Sequence, residues 1–251
     1  MDGWLYIKMK NSGLLYIAII SAILLSCNKE DSWDCVKSTG KIAQERRIVK
    51  GSFFIRIEDN INLIFKNNLG DTIIVEAGEN LLKKITTDHD GTYLKIKNNN
   101  TCNWVRTYKK DIKVFIDAVK FKDFFFMGYG TVSNEGILKK DKLFIHNYSN
   151  TDINLNVDLE YLWLDMDMLG NVSITGNTKE FYGINYGSGQ LKVNTLNSKI
   201  VSLTNQGPGM SYVFSDSIFY STIKGTGNVY YSGNPKIIGT HRQGSGEFIP
   251  Q

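Results

Sequence analysis

The chain is poor in cysteine, proline, histidine and net charge. Three Cys in 251 residues are too few for a disulfide-dense miniprotein. Three Pro against 23 Gly exclude collagen-like and Pro-rich linker architectures. Twenty-nine Lys+Arg against 25 Asp+Glu leave +4, too small an excess to argue for nucleic acid or anionic lipid as a partner. No apolar run reaches the ~20 residues of a transmembrane helix. No G-x-S-x-G, P-loop or H-E-x-x-H motif occurs. What is present, 42% hydrophobic and 22% charged residues, is enough to bury the core of one large all-β domain or two small ones.

The N-terminus reads as an address. Leu14–Leu25 is an apolar block of 12 residues preceded by Lys8 and Lys10, the shape of a signal-peptide core; Met1 and Met9 are both available as starts. Leu24-Leu25-Ser26-Cys27 resembles the bacterial lipobox, in which the Cys is acylated with chains such as palmitate and becomes the first mature residue. A soluble secretory signal ending near a chance Cys is the alternative. Lipidation would anchor the chain rather than thread it through the bilayer. Lys29-Glu30-Asp31 resembles the Lys-plus-acidic tag of Bacteroidetes lipoproteins routed to the outer face of the outer membrane, against the plainer reading of a charged tether facing the periplasm. Removing residues 1–26, with Lys8, Lys10 and Asp2, lowers the net charge from +4 to +3. Cys35 and Cys102 then remain as an even pair in an oxidising compartment, a disulfide or two buried thiols. The expected divisions are a signal peptide over 1–26, a lipid-anchored tether over 27–45, an N-terminal β-layer over 46–120 and repeats over 121–251.

From residue 128 a Gly-centred punctuation recurs. Taking the second Gly of each turn as origin, with Thr151 standing in once, the positions are 130, 151, 170, 189, 209, 227 and 246, a period near 19. Two residues after each origin stand Val132, Ile153, Val172, Leu191, Ser211, Val229 and Phe248, almost all apolar. The intervening residues are mostly polar, which is period-2 strand alternation. Nineteen residues are too few for a strand–helix–strand crossover of roughly 30. Units this short must stack on their neighbours to bury an apolar side. The expected fold is all-β: a right-handed parallel β-helix, or β-solenoid, with equivalent positions about 4.8 Å apart. An evenly turned β-sandwich is the alternative. Gly is expected at the corners because it reaches positive φ. Residues 36–120 also read as strands (Phe53–Ile57, Ile61–Phe65, Thr72–Val75, Tyr93–Ile96 and Ile112–Ile116) and are expected to cover the first coil.

The G-x-G corners, the stretch Gly227-Asn228-Val229-Tyr230-Tyr231-Ser232-Gly233-Asn234-Pro235 and the terminal Gly244-Ser245-Gly246 resemble the "putative auto-transporter adhesin, head GIN domain" family over roughly residues 46–249. The resemblance implies a β-helical envelope protein of Bacteroidetes and carries over no catalytic residues. Ser149-Asn150-Thr151 and Pro208 depart from the Gly-rich pattern, so distortion is expected at those two turns.

Little chemistry is legible. His146 and His241 fall in one repeat column but five coils, about 24 Å, apart, too far to share a metal. Asp165 falls in the same column as His146 one coil on, so the two can touch, as a plain surface ladder pair would. Asp152, Asp158, Glu160, Asp165 and Asp167 gather in the sequence, yet coil steps of 18 to 21 residues leave almost no chain for the cleft walls of a polysaccharide-active β-helix enzyme. Aromatics along the repeats, among them Phe124, Phe125, Phe126, Tyr129, Tyr148, Tyr186 and Tyr220, read as a stacking strip or as ordinary sheet cover. Thr72 and Ser217 stand in short D-T/S-apolar patterns resembling Bacteroidetes O-glycosylation acceptors. No catalytic residue, metal or cofactor is expected. The expected role is a non-enzymatic, surface-displayed adhesin or binding module for a glycan or protein, held to membrane lipid through Cys27. An envelope assembly component whose coil edges pair with other subunits, as in a homo-oligomer, is the alternative.

Overall fold

The computed structural model describes residues 38–51, 54–101 and 111–251. Seventeen strands follow one another. They are β1 (Ile42–Ile48), β2 (Phe54–Asp59), β3 (Ile61–Lys66), β4 (Thr72–Gly78), β5 (Ile85–His89), β6 (Tyr93–Asn98), β7 (Ile112–Ile116), β8 (Asp123–Gly128) and β9 (Thr131–Glu135). The series continues with β10 (Leu138–Asn147), β11 (Asp152–Met166), β12 (Val172–Asn185), β13 (Leu191–Asn205), β14 (Ser211–Ile223), β15 (Val229–Gly233), β16 (Ile237–Arg242) and β17 (Phe248–Pro250). From β8 to β17 every pairing is parallel, and the chain winds as a β-solenoid with coils about 19 residues apart.

The repeat column seen in the sequence is a physical column. Val132 opposes Ile153, Ile153 opposes Val172, Val172 opposes Leu191, Leu191 opposes Ser211, Ser211 opposes Val229 and Val229 opposes Phe248. From Val132 to Val229 its members are buried. Ser211, the polar member, is fully buried and donates its hydroxyl to Asn205 Oδ1 at 3.2 Å. The two irregular turns hold this register, so the distortion expected at Ser149–Thr151 and Pro208 is not seen. At the first, the hydroxyls of Ser149 and Thr151 bond each other at 2.9 Å and Ser149 also bonds Asn147 Oδ1.

The corner glycines are needed for a different reason from the one expected. Positive φ among the described glycines occurs at Gly40, Gly51, Gly70, Gly91, Gly136, Gly176 and Gly233, not at the G-x-G corners. There, each coil's backbone lies on the carbonyl of the coil before it. A β-carbon on Gly189 would stand 2.1 Å from Gly170 O, one on Gly209 2.2 Å from Gly189 O, and one on Gly227 2.1 Å from Gly209 O. At these three positions close approach, rather than a left-handed turn, leaves no room for a side chain.

A second corner device escaped the sequence reading. Four residues before the origin, Asn147, Asn185 and Asn205 point inward and are fully buried. Their amides donate to Thr151 O at 2.8 Å, Gly189 O at 3.2 Å and Gly209 O at 3.0 Å, and Asn205 also reaches Gly227 O at 2.8 Å. These amides satisfy carbonyls that the tight corner takes out of water. Aligning the repeats at that offset would have revealed them, although Phe126, Met166, Ile223 and Arg242 occupy the other positions of the column.

The N-terminal strands are threaded into the stack. β2 pairs in parallel with both β6 and β8, and β3 with both β7 and β9. The level formed by β2 and β3 therefore lies between one formed later by β6 and β7 and another formed by β8 and β9. β4 and β5 close the far edge by pairing antiparallel with β7 and β6, and β1 pairs antiparallel with β4. Since β1 begins at Ile42, the last residues expected as tether already form a strand. Arg47 of β1 locks this closure by donating to Ile85 O at 2.7 Å and Leu82 O at 3.3 Å. One continuous core runs the whole length, from Ile55, Leu63, Leu94 and Val114 to Phe219 and Val229.

Candidate functional site

Parallel stacking turns each outward position into a file of side chains. On the sheet carrying β8, the second halves of β10 to β14 and β16, one outward file runs Asp123, Phe144, Trp163, Tyr182, Ser202, Tyr220, Gly239. Trp163 and Tyr182 stack at 5.1 Å with their planes 2° apart. Tyr182 is 42% and Tyr220 49% exposed. Ile184, Ile200 and Ile218, on the neighbouring outward files, are half-buried. At the N-terminal end of the same face, Phe54, Tyr93 and Phe125 meet edge-on or tilted at 5.5–6.2 Å. The aromatics of the sequence reading thus divide: Phe124 and Phe126 fill the core, whereas Phe125, Tyr148, Tyr186 and Tyr220 face outward or line the corner.

His146 and Asp165 do meet, in register on adjacent coils, with Nδ1 and Oδ1 2.5 Å apart. Asp165 is 8% exposed and its other oxygen accepts the Tyr148 hydroxyl at 2.8 Å. Burial, then Asp165 itself, push the Tyr148 phenol well above its ordinary range. The His146 ring stacks on Phe125 at 4.4 Å, and its Nε2 lies 4.0 Å from Asp123 Oδ2. Burial raises the Asp123 carboxyl, an effect partly offset by His146 and Lys140. The arrangement is a self-satisfied polar cluster that orders the face. The other carboxylates of the group diverge. Asp152 accepts from Asn171 N, Asp167 accepts from Met168 N, and Asp158 and Glu160 pair with Lys139 and Lys179 along a separate corner groove. Among the described residues no three His, Cys, Asp or Glu side chains gather as a metal site. His241 ends the file that carries Phe125 and His146.

Thr72 opens β4 half-buried, and Ser217 is half-buried with its hydroxyl donating to Asp216 Oδ2 at 3.3 Å. Cys27, Lys29, Glu30, Asp31, Cys35 and Cys102 lie outside the described residues. Among the described residues no helix is long and apolar enough to cross a membrane.

Three solved structures show the same fold at low sequence identity. A "putative adhesin" from Bacteroides fragilis superposes with a TM-score of 0.75 at 18% identity, covering 84% of this chain and 97% of that one. A "putative lipid binding protein" from Parabacteroides distasonis gives 0.64 at 16%, covering 85% and 98%. A "putative adhesin" from Parabacteroides merdae gives 0.63 at 14%, covering 84% and 98%. Among curated proteins none matches the chain. The family model described as "Putative auto-transporter adhesin, head GIN domain" matches residues 54–235, and the chain belongs to that family.

Proposed function

We propose that this protein is a non-enzymatic adhesin displayed at the cell surface, anchored in the outer membrane through acylated Cys27 and exported under Lys29, Glu30 and Asp31. It binds glycan or protein through the outer face of the solenoid. The observation that carries this reading is the aromatic file: Trp163, Tyr182 and Tyr220 stand outward on a sheet face whose core side is already filled. Outward aromatics offer large, rigid contact area at low entropic cost. Family membership supports the adhesin role, and coils without long insertions favour a display surface over a catalytic cleft. In the same reading Cys35 and Cys102 are bonded to each other, and Thr72 and Ser217 carry O-glycans. The test is binding of the detergent-solubilised protein to arrays of glycans and extracellular matrix proteins. Combined Trp163→Ala, Tyr182→Ala and Tyr220→Ala changes are expected to abolish the signal on whichever array responds; unchanged binding would refute this face.

A second reading, an assembly component, draws on the C-terminal coil. Among the described residues β16 and β17 pair on one side only, and Ile237 and Ile238 are 48% and 52% exposed. An open edge of this kind invites strand addition. Mass measured by light scattering over a range of concentrations separates a monomer from an end-to-end dimer.

A further inference from the structure

The aromatic file is broken once, and the break makes a pocket. Ser202 stands between Tyr182 and Tyr220, so the Tyr220 ring has no ring partner among the described residues, unlike Trp163 and Tyr182. Its position is set from the other side. A β-carbon on Gly239, the next member of the file, would lie 2.5 Å from Tyr220 Cδ1 and 2.7 Å from Cε1, so the ring rests across the bare glycine backbone. Beside it lies a pocket of about 250 Å³. Ser202, Thr204, Thr222 and His241, all on outward files, surround it together with Tyr220. No carboxylate, ammonium or guanidinium lines it. The imidazole is engaged, with His241 Nε2 3.0 Å from the Gln243 amide nitrogen.

The chemistry selects a ligand class. Hydroxyls both donate and accept, so a rim of Ser and Thr matches a ligand bearing many hydroxyls of its own. A half-exposed tyrosine ring offers an apolar surface to the C–H side of such a ligand. The lack of fixed charge leaves nothing to compensate an anion or a cation taken out of water. The volume falls below the roughly 300–1,000 Å³ of drug-sized pockets, which fits one ring rather than an extended molecule. We infer that the pocket between Ser202, Tyr220 and Gly239 binds a single uncharged pyranose ring of a glycan, stacked on Tyr220 and held by the surrounding hydroxyls. This deepens the adhesin reading and rests on it for its biological meaning. The site is shallow and shares few groups with its ligand, so affinity for one ring is on the order of millimolar, and strong attachment comes from many copies on one cell.

Saturation-transfer NMR on the whole protein in a zwitterionic detergent, free of sugar headgroups, tests this directly. The probes are maltotriose, cellotriose, lactose and mannotriose, with trigalacturonate as the charged comparison. At least one neutral probe should receive saturation and trigalacturonate should not. Tyr220→Ala should weaken that binding about tenfold or more, and Gly239→Val should do the same by displacing the ring. Tyr220→Phe should stay within about twofold, since stacking needs the ring and not its hydroxyl. Circular dichroism melts confirm that each variant folds. Absence of transfer to every neutral probe, or transfer that survives Tyr220→Ala, overturns the inference. Adhesion of whole cells with and without the gene is scored separately. Lost adhesion without neutral-sugar binding removes this site and leaves the adhesin reading standing; sugar binding at Tyr220 with unaltered adhesion does the reverse.

Discussion

Asn205→Ala probes the corner device most sharply. Asn205 is fully buried; its amide donates to Gly209 O and Gly227 O, and its carbonyl accepts from Ser211. The alanine leaves two carbonyls and one hydroxyl without partners between tightly stacked coils. Each hydrogen bond contributes about 0.5–1.5 kcal/mol, and each buried group left unsatisfied costs about 1–3 kcal/mol. Allowing for partial relaxation, the loss is about 2–4 kcal/mol. At a urea slope of about 3 kcal/mol/M, the midpoint should fall by about 1 M. The comparison variant is Asn197→Ala, whose amide bonds Asn177 at 3.2 Å on the exposed surface; it should stay within about 0.5 kcal/mol of the parent. Asn205→Ile is equally informative, because Ile223 occupies the same file one coil on. An Asn205→Ala protein as stable as the parent would refute the claim that buried amides hold the corners. So would an Asn205→Ile protein of parental stability.

The corner glycines make a paired prediction. Gly209→Ala should cost about 3 kcal/mol, the upper end for overpacking, because its β-carbon meets backbone that cannot move aside. Gly136→Ala, with φ +73° but nothing within 4 Å, should cost only about 1–2 kcal/mol; equal losses in thermal melts would contradict the close-approach account. Asp90, held at a pKa of about 2 by the backbone N–H groups of Tyr93 and Thr92, should titrate near that value by NMR. Its depressed pKa means that its contribution to stability is present above about pH 4 and is lost as pH falls toward 2; a midpoint near 4 would show that the turn does not hold the carboxylate. Cys27→Ser should abolish labelling by an alkynyl palmitate analogue and release the protein from membranes, while intact-mass analysis with and without reductant should report Cys35–Cys102 as a bonded pair. Persistent labelling of the serine variant, or two free thiols, would contradict these assignments.

Much of the solenoid was legible because its determinants are local and repeated. An apolar residue two positions after each corner specifies a column, and period-2 alternation specifies its inward side, so Val132 to Val229 and the His146–Asp165 contact could be placed by counting. The threading of β2 and β3 between later strands could not be counted, since those levels carry no Gly punctuation and their order is decided by long-range packing of Ile55, Leu63, Phe124 and Val132. The role of the corner glycines was misread because an absent β-carbon serves positive φ and close approach alike, and only the distance to the next coil separates the two. The pocket at Tyr220 was hidden for a related reason. It depends on what is missing, a ring at 202 and any side chain at 239, and such gaps emerge only once the files are aligned in space. Where β13 slips register between Val193 and Ile200, alternation no longer tells inside from outside, which is why the groove around Asp158 and Lys179 was not anticipated.

Protease shaving of intact cells, read by immunoblot against the solenoid, tests surface display most directly. The account predicts that protease removes the protein from cells whose outer membrane is intact while a periplasmic marker survives. Protection until the outer membrane is broken would contradict it.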